Sequence, residues 1–232
     1  MKIVYKELPQ SKRDLLCERV YAYLKQAILN GLLEADERLI EERISEEIGI
    51  SRTPIREAIH RLEQEGFVYK RQSGGHAISP TNEKGARELW DVAGIILGYA
   101  TYLATFNATA NDFDMLRRIT KVIEEQAETC EYEKVIKENC RLFEALLVLS
   151  NNGQLRMIFN GLKDHLVRKM LIAPTTKRRT AFLKHHRTLI DLMEAKEAAR
   201  AEKLTRKLIF NLICFNDRSR KNVRRMTKAS PK

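Results

Sequence analysis

The residues best suited to chemistry with a partner lie in a short basic segment, SRTPIREAIH, which runs from Ser51 to His60. Arg52 and Arg56 stand four positions apart, so on a helix they share one face. An arginine can donate two hydrogen bonds to O6 and N7 of a guanine, which distinguishes that base in the major groove of DNA. The segment therefore predicts sequence-specific contact with double-stranded DNA, with these two arginines as base readers.

The helix that must position these arginines has one apolar side. Ile55, Ile59 and Leu62 recur at helical spacing and form an apolar stripe. Thr53 is expected to cap the helix and Pro54 to fit its first turn, where a missing amide hydrogen costs little. With the stripe turned inward, four side chains face outward near the start of the helix: Arg52, Thr53, Arg56 and His60.

The flanking residues predict a helix-turn-helix followed by a wing. One amphipathic helix is expected over 15–30, and a second carries an isoleucine at every fourth residue and ends at Gly49. Because only the turn from Gly49 to Ser51 joins the second helix to the third, the two must cross, as in proteins that place a helix in the major groove. After Gly66, two short strand-like runs predict a β-hairpin.

Contacts with DNA phosphates are expected beside the base-reading residues. The hydroxyls of Ser51 and Thr53 suit phosphate oxygens, and Lys70 and Arg71 place positive charge on the wing. The outward side of the third helix, which carries Arg52, Thr53, Arg56 and His60, is here called the reading face. The acidic residues are expected away from it, mainly over 34–47. The alternative is that the arginines only solvate an exposed helix, but their combination with the turn, the proline and the hairpin favours DNA binding.

Composition and periodicity predict a mainly α protein with two domains. We expect a winged helix-turn-helix of three helices and a small hairpin over 1–80, an antiparallel all-α bundle over 81–217, and a basic tail over 218–232. Residues 1–80 carry 13 Lys plus Arg and 13 Asp plus Glu, so the net charge of +11 resides in the rest of the chain. The tail is expected to add only nonspecific phosphate contacts.

Several function classes are excluded by what the sequence lacks. It has no apolar run of about 18 residues and no apolar signal-peptide core, so a cytoplasmic protein with no membrane partner is expected. The four cysteines form no C-x-x-C pair, which argues against a disulfide framework or a zinc knuckle. No G-x-S-x-G, H-E-x-x-H or phosphate-cradling glycine loop is present, so the chain is not expected to be an enzyme.

Residues 38–68, with the sequence RLIEERISEEIGISRTPIREAIHRLEQEGFV, closely resemble the signature of the GntR family of bacterial transcription regulators. The resemblance extends over 15–78, and the helical remainder resembles the FCD-type effector domain of the FadR/VanR subfamily. It implies a wing tip at Gly75 that enters the neighbouring minor groove. It also implies DNA contacts at six positions: Arg38, Ser51, Arg52, Thr53, Arg56 and Arg61.

The resemblance also implies a ligand site in the helical domain, in an altered form. Many FCD domains bind a divalent metal through an aspartate and three histidines, and those positions are here Cys140, Glu144, His186 and Leu208. The first three could form an incomplete zinc site. Alternatively, Cys140 is a small side chain packed in the buried interior, and His186 is a core histidine. Without a metal, Glu144 and His186 are expected to anchor a small-molecule effector, usually an organic acid in this family.

Two hypotheses for the function remain open. In the first, the protein is a homodimeric repressor gated by an effector. Its dimer face is expected on the first bundle helix at Leu89, Ile95, Ile96, Tyr99 and Leu103, although ordinary burial in the core is an alternative for these residues. In the second, it binds DNA constitutively and its sensing domain has degenerated, as the broken metal set and the basic tail suggest. Ala93 and Leu97 stand where relatives tend to have Arg and Glu, which implies that the ligand chemistry is unusual or absent.

Overall fold

The computed structural model describes residues 13–80, 83–129, 132–172 and 180–209. It divides into two compact units, one over Met1–Thr81 and the other over Asn82–Lys232. The described residues are mainly helical, with one small sheet in the first unit. The predicted fold class, a winged helix-turn-helix followed by a helical bundle, is confirmed. The predicted basic tail, 218–232, lies outside the described residues.

The first unit combines three helices with three short strands. The helices are α1 (Arg13–Leu29), α2 (Glu41–Ile48) and α3 (Arg52–Gln64). The strands are β1 (Arg38–Leu39), β2 (Val68–Lys70) and β3 (His76–Ile78), in the antiparallel order β1-β3-β2. Strands β2 and β3 form the predicted wing. Strand β1 was not predicted, because two residues are too few to give a periodic pattern.

The turn between α2 and α3 sets where the third helix begins. Gly49 ends α2 with a φ of 67°, the left-handed conformation that glycine adopts without strain. Ser51 is the N-cap of α3, so the predicted cap at Thr53 was wrong by two residues. Ser51 has a ψ of 155°, outside the helical range, and the helix begins at the next residue, Arg52. Pro54 lies in the first turn, as predicted, where its missing amide hydrogen has no helical partner to lose.

The core of the first unit forms where α3 packs on α1. Ile55, Ile59 and Leu62 are fully buried, as the apolar stripe predicted. In α2 only Ile44 is buried, whereas Ile40 is the N-cap residue and is half exposed. The same core includes residues from α1 and from the sheet, among them Val20, Leu24, Ile28, Phe67 and Ile78. Burial of this face decides which side of α3 remains for a partner.

A polar network fixes the C-terminal end of α3 against α1. The Tyr21 hydroxyl donates to the Glu65 carboxylate at 2.6 Å, and the Lys25 ammonium donates to the same carboxylate at 2.7 Å. Burial raises the pKa of Glu65, but the hydrogen bonds from Lys25 and Tyr21 outweigh burial, and the pKa lies below its ordinary value of 4.5. Glu65 therefore stabilises the folded unit as an anion.

The second unit is built from helices alone in the part of the chain that the structure describes. They are α4 (Glu83–Asn107), α5 (Ala110–Glu128), α6 (Tyr132–Leu149), α7 (Gly153–Ile172), α8 (Thr180–Glu194) and α9, which is described over 198–209. A capping box between Thr109 and Asp112 starts α5. Two apolar clusters hold the bundle together, one centred on α5 and α6 and the other on α4, α6 and α7.

Helix α4 is long and apolar enough to cross a membrane by length and composition, over Lys84–Asn107. However, 56% of its apolar 18-residue window is buried inside the bundle, where the helix contributes Trp90, Leu97 and Ala100 to the core. Core helices of globular domains have the same composition, so burial within the bundle accounts for the apolar character of α4.

We predict that Glu65→Gln destabilises the first unit at neutral pH. A carboxylate whose pKa is lowered by folding stabilises the protein above its unfolded pKa, and this contribution is lost as the pH falls through the folded pKa. The difference in unfolding free energy between wild type and variant should therefore shrink below pH 4.5. Native-state hydrogen exchange at amides of α1 and α3 measures it. Glu46→Gln, an exposed change on α2, is the control, and a difference that does not vary with pH would contradict the prediction.

Candidate nucleic-acid interface

The outward face of α3 carries the side chains predicted to read bases. The Arg52 side chain is 56% exposed and that of Arg56 is 58% exposed, so both project from the side opposite the core. Thr53 is exposed between them, and Ser51 caps the helix without using its hydroxyl in a capping hydrogen bond. The face thus presents two guanidinium groups beside two hydroxyls at the helix N-terminus, where amides favour anions.

Each of these arginines is held by an acidic residue in the first turn of α2. Arg56 donates from Nε and Nη2 to one carboxylate oxygen of Glu41, at 3.0 and 2.9 Å, and these hydrogen bonds raise the pKa of Arg56. Arg52 pairs with Glu42. The expectation that the acidic residues lie away from the reading face was therefore wrong for these two. The start of α2 lies beside the N-terminal half of α3, which brings their carboxylates to the guanidinium groups.

These ion pairs leave the arginines able to change partners. Exposed pairs contribute little to stability, because water and salt screen the attraction and both side chains lose freedom when they pair. A guanine edge or a phosphate can therefore replace Glu41 or Glu42 as the acceptor.

The other two arginines implied by the family resemblance have different surroundings. Arg38 is exposed on β1, opposite Ala77 of β3, at the edge of the sheet. Arg61 stacks over the Tyr21 ring, 3.8 Å from its centroid, and pairs with Glu18 of α1. The structure thus gives Arg61 a role in fastening α3 to α1, and a DNA contact at this position stays a prediction.

The wing ends in a tight turn that requires glycine. The Arg71 amide donates to the Gly75 carbonyl at 3.0 Å, and the Gly74 amide donates to the Arg71 carbonyl at 3.1 Å. Gly74 and Gly75 have φ values of 85° and 77°, which residues with a Cβ rarely adopt. Lys70 is exposed at the end of β2 and Arg71 is half-buried beside it. A narrow tip flanked by positive charge is suited to a DNA groove.

The predicted effector and metal residues lie in the second unit, but their donors are not free for a metal. Cys140 and Glu144 are on α6, and His186 is buried on α8. Burial raises the pKa of the Cys140 thiol to about 11, so it is protonated at neutral pH. Glu144 pairs with Lys163 of α7. The thiol must lose its proton and the carboxylate its lysine before either binds an ion, and Leu208 offers no ligand at the fourth position. The predicted zinc site stays a prediction.

Three positions at which the family resemblance implies polar groups contribute to the apolar core. Ala93 and Leu97 are fully buried, in the cluster that also contains Trp90 and Phe159. Leu208, at the fourth metal position, is buried in the other cluster of the bundle. Apolar packing therefore replaces polar groups at these three positions.

The sequence reasoning missed one buried charge in the second unit. Arg168 of α7 is only 3% exposed, its Nε has no hydrogen-bond partner, and burial lowers the pKa of its guanidinium. No carboxylate of the described residues pairs with it. Nothing in the local sequence, HLVRKM, distinguishes this arginine from a surface residue. A buried guanidinium without a counter-charge is a position at which an anionic ligand would be strongly favoured.

Comparison with known proteins agrees with these two units. The family model for bacterial regulatory proteins of the gntR family matches residues 16–78, and the FCD domain model matches residues 88–211. The second match alone covers more than half of the chain. The boundary between the matches falls where the structure separates the two units.

Individual relatives have the same organisation over most of their length. The chain is 27% identical over 185 residues to the transcriptional regulator YdhC of Bacillus subtilis, which covers 78% of this chain and 82% of that protein. It is 26% identical over 188 residues to the gluconate operon transcriptional repressor of Bacillus licheniformis, covering 77% of this chain and 76% of the relative.

A solved structure supports the fold. McbR/YncC of E. coli superimposes with a TM-score of 0.72 at 20% identity, over 88% of this chain and 98% of that one. The two family models and the solved structure thus support the same arrangement, in which α3 and the wing are followed by a helical bundle. Helix α3 is here called the recognition helix. The chain belongs to the GntR family of bacterial transcription regulators, in the FadR/VanR-type subfamily that carries an FCD domain.

Proposed function

We propose that this regulator is a repressor that binds an operator through α3 and the wing, and that a small organic anion bound in the FCD domain controls its affinity for DNA. The observation that carries the proposal is the exposed pair of guanidinium groups, Arg52 and Arg56, on the outer face of α3. The name of one relative, a gluconate operon transcriptional repressor, supports repression as the direction of control.

Base reading would proceed by exchange of partners at the reading face. Arg56 leaves Glu41 and donates two hydrogen bonds to a guanine, and Arg52 leaves Glu42 in the same way. One such bidentate contact gives about 1 to 3 kcal/mol of discrimination between bases. The hydroxyl of Ser51 holds a phosphate and sets the register of the helix on the duplex.

The class of effector is argued from charge. Arg168 is a buried cation with no counter-charge among the described residues, so a bound carboxylate would remove an unfavourable desolvated charge. Glu144 and His186 are proposed as further polar anchors, with Glu144 kept in its ion pair with Lys163 of α7. The charge of Arg168 favours a small organic acid over a cationic or apolar effector.

A homodimer is proposed because α4 leaves part of its apolar surface uncovered. Val92, Ile95 and Tyr99 are 44%, 56% and 45% exposed and recur at three and four residues, so they form one stripe on the outside of the bundle. Ile96, which the sequence interpretation also assigned to this face, is buried in the core of its own bundle. A two-fold dimer would present two recognition helices to two half-sites of an operator in the cytoplasm.

A second candidate function rests on the apolar filling of the bundle. Ala93, Leu97 and Leu208 are buried where the family resemblance places polar groups, and this favours a domain that has lost its ligand and binds DNA constitutively. The two candidates differ in one property, which is whether any small molecule changes DNA affinity.

We predict that Arg52→Ala and Arg56→Ala each weaken binding to preferred sites at least tenfold while nonspecific binding changes little. The reason is the loss of one bidentate contact. The sites are selected from a random DNA pool by the wild-type protein, and Kd is measured at fixed salt on a selected and a scrambled duplex. Arg43→Ala, an exposed change on α2, is the control. If the selected-to-scrambled affinity ratio is the same in all four proteins, α3 does not read bases through these residues.

A second prediction concerns the effector. The melting temperature of the wild-type chain is measured by thermal shift with sodium gluconate, succinate or benzoate, and sodium chloride is the control salt. At least one of the organic anions should raise the melting temperature. Saturation at 100 times Kd contributes about 2.7 kcal/mol. Arg168→Met should abolish the response, whereas Arg156→Met, an exposed change on the same helix, should retain it. A response that survives Arg168→Met would exclude that guanidinium as the anion site.

The third prediction tests the dimer face. A buried aspartate at the centre of an apolar interface cannot be paired, so Ile95→Asp should weaken self-association at least tenfold. Sedimentation velocity over a range of protein concentrations measures the dissociation constant. Val148→Asp, which introduces the same charge at an exposed apolar residue of α6, should leave it unchanged. If both variants dimerise like the wild type, the stripe on α4 is not the interface.

A further inference from the structure

Three side chains with metal-ligating atoms meet between the recognition helix and the wing. They are His60 and Glu63 on α3 and His76 at the start of β3. Their ligating atoms all lie within 4.8 Å of one another, and among the described residues no other group of three histidine, cysteine or acidic side chains satisfies this criterion. This group, here called the α3–wing triad, lies in the first unit and is separate from the predicted zinc site of the helical domain.

Two of the distances within the α3–wing triad match edges of a small coordination polyhedron. Glu63 Oε2 lies 3.3 Å from His60 Nδ1 and 3.3 Å from His76 Nε2. In a tetrahedral zinc site with bonds of about 2.0 to 2.1 Å, neighbouring ligand atoms are about 3.3 to 3.4 Å apart. The two imidazole rings are nearly perpendicular, with centroids 5.4 Å apart, so they approach the shared carboxylate from different directions.

The donor types also suit a cation. Imidazole nitrogens and one carboxylate oxygen form a donor set that binds zinc and similar divalent ions, and magnesium or calcium would prefer an all-oxygen set.

We propose that His60, Glu63 and His76 form a zinc site that fastens the wing to the recognition helix. Two of the ligands come from one turn of α3, and the third comes from the strand that follows the Gly74–Gly75 turn. An ion held by all three joins the reading helix to the wing hairpin directly. Three protein ligands leave one position of a tetrahedral ion open, for a water molecule or for a phosphate oxygen of bound DNA.

The site would couple metal supply to the shape of the DNA-binding surface. His60 is one of the outward residues of α3, with 54% of its side chain exposed, and His76 is 11% exposed beneath it. Zinc binding would fix the position of the wing relative to Arg52 and Arg56. The triad lies in the first unit, whereas Glu144 and His186 lie in the second.

The experiment is a zinc titration of the full-length, chelator-stripped protein by isothermal calorimetry. Wild type is compared with His60→Ala, Glu63→Gln and His76→Ala, and with Glu57→Gln, an exposed carboxylate change on the same helix. Loss of groups outside the ligand shell already costs metal sites about 10- to 100-fold in affinity. Each ligand variant should therefore bind one zinc ion fewer per chain than wild type, or bind it at least 100-fold more weakly, and Glu57→Gln should match wild type.

A local measurement distinguishes this site from any zinc bound in the helical unit. Zinc should slow hydrogen exchange at amides of β2 and β3 in the wild type and in Glu57→Gln, and should have no effect there in His60→Ala. His60 is exposed, so its loss leaves the fold intact and keeps the comparison valid. Equal zinc stoichiometry and affinity in all five proteins, or wing exchange that does not respond to zinc, would overturn the proposal. No DNA is used, so the result does not depend on repression.

Discussion

The contact that the rest of the first unit depends on is the burial of one face of α3 against α1. Ile55, Ile59 and Leu62 are removed from water completely. A helix with one side fixed in this way has its opposite side fixed too, which is why Arg52 and Arg56 project together. The stacking of Arg61 on Tyr21 adds a second fastening at the far end of the helix. The direction in which α3 presents its polar face is thus a consequence of core packing.

Periodic features of the sequence predicted this arrangement well, and features that depend on the approach of distant residues were missed. The stripe of α3, the turn at Gly49 and the hairpin follow from local spacing, and the structure has all three. Strand β1 has only two residues, and the pair between Arg56 and Glu41 joins positions 15 apart on different helices. Neither feature produces a periodic pattern in the sequence, so neither could be predicted before the structure was known.

In the helical unit the bundle was predictable and the chemistry of its interior was not. Amphipathic spacing locates helices, but it cannot reveal that Glu144 is already engaged by Lys163 or that burial keeps the Cys140 thiol protonated. It also gives no sign that Arg168 is buried with no counter-charge among the residues that the structure describes. Buried apolar positions can be predicted from their spacing in the sequence. The role of a polar residue depends on which neighbours the fold brings to it.

The carboxylates beside Arg52 and Arg56 also bear on how the protein moves through a chromosome. Attraction to arbitrary DNA comes from cations that displace counterions at phosphates, and residues 1–80 have as many acidic side chains as basic ones, 13 of each. A bacterial chromosome offers on the order of a million competing sites. We therefore expect a reading face whose arginines are paired with Glu41 and Glu42 to leave random sequence sooner than one whose arginines lack acidic partners.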